Sequence, residues 1–355
     1  MRPRLTRLDL LLLASLVLAA GAQFFLFPSG ARGGGRASAA WKEQEEAVRQ
    51  RVQRLGAVDR QDLMARIRRD RALGLRFNLA AGVLFAIIVG VGVQWVRILV
   101  RLIQRRPLAP PLGSPSPPAW GLRGIGRLTL CILLVAQVSV ILERAFLRIL
   151  HPPWLDLHVL TLANTLLVDG VALIGGFWFF RSGWAARPPW RSPLAVPWGK
   201  VRFSLGSYLT CVPLFLLLLT VMTLVLRALK VEPPPQALFT MYMFEERGAV
   251  VRLLLGLAVL VGPVAEEVFF RGLIYRWLRH RVGVWPGLLT SSFLFALLHT
   301  DWVAFVPILA LGLLFGWVYE RTGSLAAPAA VHIFHNGAML YLASLVKLIS
   351  SLGEA

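Results

Sequence analysis

Cysteine and acidic residues are scarce in this sequence. Two cysteines, Cys131 and Cys211, stand among 355 residues. Both lie inside apolar runs, so the chain has no disulfide framework and no cysteine zinc site. Aspartate and glutamate total 18 against 38 lysines and arginines, a net charge of +20. An excess of that size first suggests nucleic acid. The arginines, however, cluster in short segments between apolar runs, as in the cytoplasmic loops of membrane proteins. No nucleic-acid partner is expected. Strand-like alternation is also missing, which argues against a β-barrel. What the chain has in quantity is apolar sequence: 57% of its residues, with a mean hydropathy of +0.66. Several runs reach about 18–22 residues, enough to cross a ~30 Å hydrocarbon slab. The fold class expected is all-α, a polytopic transmembrane helical bundle of eight or nine spans.

Spans are expected near 8–27, 77–96, 126–147, 158–180, 204–227, 249–275, 286–303, 304–320 and 325–346. The first follows MRPRLTR and resembles a signal peptide. Its apolar part exceeds the usual h-region and no clean small-x-small site follows, so it reads as a retained signal anchor, residues 1–27. Residues 28–76 are charged and extramembrane. There Val48, Val52, Leu55, Val58, Leu63 and Ile67 recur near helical spacing, which predicts an amphipathic helix or hairpin on the membrane surface. Residues 77–199 hold accessory spans and proline-rich linkers, PLAPPLGSPSPP (107–118) and RPPWRSPLAVPW (187–198). EPPPQ (232–236) is a further proline-rich loop. Residues 200–347 form the remaining core and 348–355 a short tail. Gly312 and Gly316 let the eighth span pack closely on a neighbour.

Loop charge sets the orientation. Arg2, Arg4 and Arg7 precede the first span, and arginine-rich loops follow the second, fourth and sixth. These loops are all cytoplasmic if the N-terminus is inside, which suits a bacterial inner membrane.

Few strongly polar side chains lie deep in the last third: Glu266, Glu267, Arg271, His299, His332, His335 and Asn336. Ionisable groups in a membrane mark a functional site by default. Glu267 and Arg271 share a helix face and can pair. Glu266 is turned about 100° away and offers its carboxylate elsewhere. One alternative is a single buried salt-bridge cluster of both glutamates with Arg271. Gly262-Pro263 just upstream should kink the helix and free backbone carbonyls, which suits a cavity better. His299 closes FALLH and should lie well along its span. His332 and Asn336 share a face of the last span, while His335 points aside and reads as packing.

Where such groups converge, a carboxylate and a neutral imidazole can hold a water and remove its proton. A second histidine and an amide can donate to a developing oxyanion. That is sufficient equipment to hydrolyse an amide. The same groups admit a metal-dependent version, with Glu266, His299 and His332 holding zinc. HExxH is absent, and the Asn336 amide is a poor zinc ligand. The reading therefore uses no cofactor.

At these residues the sequence resembles the CPBP family of CAAX-processing and bacteriocin-processing intramembrane endopeptidases. EEVFFR (266–271), FALLH (295–299) and HIFHN (332–336) match its EExxxR, FxxxH and HxxxN/D motifs in order. The resemblance covers roughly residues 200–347. It implies that Glu266 is the catalytic glutamate and that His299 helps it activate water. His332 and Asn336 would form the oxyanion site, and Glu267 and Arg271 would support it. The implied partners are a membrane-associated protein or peptide substrate and the lipid bilayer. A non-catalytic scaffold or immunity protein with the same core is the main alternative. A proton relay is the other, and Asp169, Asn164 and Gln137 offer it few further polar groups.

Overall fold

The computed structural model describes residues 6–26, 32–55, 60–109, 118, 120–149, 156–184, 198–231, 236–299 and 303–353. The helices are α1 (Arg7–Leu26), α2 (Arg32–Leu55), α3 (Arg60–Arg69), α4 (Arg71–Ile103), α5 (Leu122–Ile149), α6 (Leu157–Trp184) and α7 (Trp198–Ala228). They continue as α8 (Ala237–Phe244), α9 (Gly248–Gly256), α10 (Gly262–Glu267), α11 (Arg276–Val282), α12 (Val284–Leu298), α13 (Phe305–Thr322) and α14 (Ala326–Gly353). Two π-helical stretches, Leu257–Val261 and Val268–Tyr275, join α9 to α10 and α10 to α11. Among the described residues no strand is present.

The protein is a polytopic transmembrane helical bundle. Among the described residues, seven helical stretches are long and apolar enough to cross a membrane, and Leu8–Leu18 and Val284–Leu298 are shorter apolar helices. Most of the proline-rich loops, and Val58 of the expected surface stripe, lie outside the described residues. Within that stripe Val48 is buried but Val52 is 43% exposed. The segment is helical, as α2 and α3.

The chain divides into two units. The first gathers residues 1–44, 115–193 and 244–291. Its helix α1 starts with a capping box. The Thr6 N–H donates to Asp9 Oδ2 at 2.8 Å, and the Asp9 N–H returns to Thr6 Oγ1. Arg127 of α5 donates to both side chains, at 2.6 Å to Asp9 and 2.7 Å to Thr6. Helix α6 packs on α5 and on the stretch from α9 to the second π helix. Two adjacent glycines allow the close approach. A Cβ at Gly175 would meet Leu128 Cδ1 at 2.3 Å, and one at Gly176 would meet Val268 Cγ1 at 2.3 Å. A methyl group there overlaps its neighbour, and such overpacking costs about 1–3 kcal/mol. Gly176→Val is expected to lower the melting temperature of the lipid-embedded protein. Gly170→Ala, with open space around it, should not. Equal melting of the two variants would contradict this packing.

The second unit gathers residues 45–114, 194–243 and 292–355. Here α7 packs on α4, α13 and α14, and α13 on α14. Gly90 of α4 sits against Leu209, and Gly206 of α7 against the Gln94 amide. Small residues let membrane helices approach closely in this way. Gly323 ends α13 in the left-handed region at φ 61, its N–H donating to Tyr319 O. That is the residue type such a cap requires.

Candidate active site

The placement of the acidic residues is set by how one long helix absorbs a proline. The expected kink at Gly262-Pro263 takes the form of a widened turn. The Gly262 N–H donates to Leu257 O, five residues back. Pro263 then stands in the first turn of α10, directly after the π turn. A second π stretch follows Glu267 directly. Such wide turns inside α-helices are frequent at functional sites.

The two glutamates behave differently, as their spacing predicts. Glu267 and Arg271 are each 1% exposed, and Arg271 Nη1 donates to Glu267 Oε1 at 2.9 Å. Glu266 is only half-buried. Glu267 is therefore locked into the packed side of the helix, while Glu266 is only partly buried, with its Oε2 itself buried.

The imidazoles lie in the second unit. Helix α12 ends at Leu298, so His299 is the residue just past the helix rather than a group well along a span. Its Nδ1 faces Phe295 O at 2.9 Å. A carbonyl can only accept, so Nδ1 carries the proton and Nε2 keeps its lone pair. His299 is thus held in the tautomer that can accept a proton at its outer nitrogen. The Phe295 ring, 2% exposed, lies 4.7 Å from the His299 ring.

His332 on α14 is 4% exposed. It stacks on Phe315 of α13 at 4.7 Å and meets the edge of Phe295 at 5.9 Å. Gly312 permits this packing, because a Cβ there would lie 3.2 Å from Phe295. Asn336 follows one turn later on the same face of α14 and is half-buried. His335 turns toward α7, where its Nδ1 meets the Tyr208 hydroxyl at 2.9 Å. It ties two helices together, in keeping with its expected packing role. Phe315 and Tyr208 were not singled out by the sequence reading, since an aromatic on an apolar span carries no signal of its own.

A second polar cluster lies in the first unit. Asp156, His158 and Glu245 gather their ligand atoms within 4.8 Å of one another. Arg247 already supplies a cation there, at 2.6 Å to Asp156 and 2.7 Å to Glu245 Oε2. His158 Nδ1 lies 2.8 Å from Glu245 Oε2. The hydrogen bonds from the Arg247 side chain push the Glu245 carboxyl down to about 2 from its usual 4.5. Burial opposes them, and bonds from His158 and the Arg247 backbone assist. A depressed folded value means the stabilisation is complete above the unfolded value and fades as pH falls toward 2. Between pH 4.5 and about 2, wild type is expected to lose more melting temperature than Glu245→Gln. Parallel melting curves against pH would contradict the assignment.

Residues 248–338 match the Rce1-like family, described as type II CAAX prenyl endopeptidase Rce1-like. All three motifs fall inside that stretch, whereas α7 falls outside it. A Bacillus subtilis (strain 168) protein named "Putative membrane peptidase YdiL" is 30% identical over 86 residues, 24% of this chain and 35% of that protein. A second protein from the same organism, "Uncharacterized protein YpbD", is 38% identical over 72 residues, 19% of this chain and 34% of that protein. The chain thus spans about a third of the length of the curated relatives it matches. No solved structure matches it.

Proposed function

From the CPBP-type, Rce1-like segment at residues 248–338, we propose that this integral membrane protein is an intramembrane endopeptidase of the glutamate type. Its substrates are membrane-associated proteins or peptides. Glu266 takes a proton from water, and the oxygen adds to the scissile carbonyl carbon. His299 shares in holding that water through Nε2. His332 and Asn336 donate hydrogen bonds to the oxyanion. Glu266 then passes its proton to the amide nitrogen as the C–N bond breaks, and a carboxylic acid and an amine leave. Glu267 and Arg271 hold the helix that carries the base.

The observation that carries this reading is the divergence of two adjacent acids. Glu267 is paired with Arg271 in the packed interior, whereas Glu266 is only partly buried, with its Oε2 itself buried. The fixed tautomer of His299 supports the same assignment. The reaction needs no metal: HExxH is absent, and the amide at 336 suits an oxyanion better than zinc. The arginine-rich alternate loops favour an N-terminus inside the inner membrane of a bacterium.

The test is a comparison of membrane-protein termini in cells with and without this protein. At least one substrate should lose a processed terminus on deletion and regain it on complementation. If no terminus depends on the protein, the peptidase reading fails.

A further inference from the structure

Asp169 is an acid in the middle of α6, inside an apolar span, and the three motifs do not use it. Its Oδ2 is buried and finds no hydrogen-bond partner among the described residues. An acid oxygen in that state is costly unless something occupies it. Two observations show what it faces. A Cβ at Gly262 would lie 3.5 Å from Asp169 Oδ2. Gly262 opens α10 and Glu266 stands four residues on in the same α-helical stretch, so both lie on one face. Asp169 also lies within range of the Glu266 charge.

We propose that Asp169 is a positioning residue for Glu266, its protonated carboxyl donating a hydrogen bond to the Glu266 carboxylate. The inference rests on the reading of Glu266 as the base. Two carboxylates close together in a dry setting do not both stay ionised, and one proton between them resolves the repulsion. Asp169 carries that proton because Glu266 must be charged to accept one from water. The bond would fix the rotamer of the base. Among the residues whose side chains are described, the remaining charges on the packed elements are Arg123, Arg127 and Glu143 on α5, Arg252 on α9, Glu267 on α10 and Arg271 beyond it. Arg123 and Arg127 pair with Asp9, and Arg271 with Glu267. Glycine at 262 is part of the arrangement, since a side chain there would press on the donor oxygen.

Infrared spectroscopy of the full-length protein in lipid vesicles at neutral pH tests the pair without any substrate. Wild type is expected to show a protonated-carboxyl stretch that shifts when aspartate carboxyls carry a heavy isotope and stays when glutamate carboxyls do. Asp169→Asn should remove it. Glu266→Gln should move it to the position of a more weakly hydrogen-bonded acid, because an amide is a poorer acceptor than a carboxylate. The proposal is overturned if no band follows the aspartate label, or if the band ignores Glu266→Gln. The labelled wild type decides the matter even where Asp169→Asn does not accumulate. The two readings separate cleanly: a band that responds to Glu266→Gln in a protein with no dependent substrate keeps the pair and removes the peptidase.

Discussion

Glu266→Gln is expected to lower cleavage of the dependent substrate by roughly 10²–10⁴-fold, the usual share of a general base. Accumulation in the membrane and melting temperature should stay near wild type. The reason is geometric. Glutamine keeps the shape of the side chain and removes only its charge and its ability to take a proton. A quantitative immunoblot of substrate processing beside a melting curve reads both effects. The variant therefore separates a catalytic acid from a merely buried one. Full processing by Glu266→Gln would mean that some other group activates the water, or that no chemistry occurs here.

Arg271→Leu has the opposite profile. Arg271 and Glu267 are both 1% exposed and 2.9 Å apart. Removing one partner leaves the other as a lone buried charge, a loss of about 3–5 kcal/mol. The strain falls on the second π stretch, where Arg271 sits, one residue group beyond the base. The melting temperature should drop steeply, and activity should fall with the amount of folded protein. Glu267→Gln combined with Arg271→Leu should recover part of the loss, since no charge is then stranded. If Arg271→Leu melts with wild type, the pair does not hold this helix together.

Much of this was legible from spacing. Four-residue separations placed Glu267 with Arg271 and turned Glu266 away, and the structure keeps that division. Apolar length located the spans to within several residues, although most helices extend past the hydrophobic stretch. α4, for instance, runs from Arg71 to Ile103 where 77–96 was expected. Charged and polar ends continue a helix without adding to its hydropathy. The π turns were not legible, because a residue pattern does not report whether a bond spans four or five positions. Pro263 suggested a kink, and the structure has a widened turn there, through which the helix continues. The position of His299 beyond α12 was misjudged for a related reason: the apolar run continues through the end of the helix. Asp169 was visible as an isolated acid, but its partner was not, since nothing in sequence ties position 169 to position 262.

The account stands on water, and not acyl chains, surrounding the Glu266 carboxylate. The direct measurement is thiol accessibility in lipid vesicles, with Cys131 and Cys211 replaced by serine. Glu266→Cys should react with a charged, membrane-impermeant thiol reagent. Leu260→Cys, at a residue 54% exposed on an apolar stretch of the same span, should react only with a lipid-soluble one. If Glu266→Cys is silent to the charged reagent and labelled from the lipid phase, no solvated site exists there and the account is wrong.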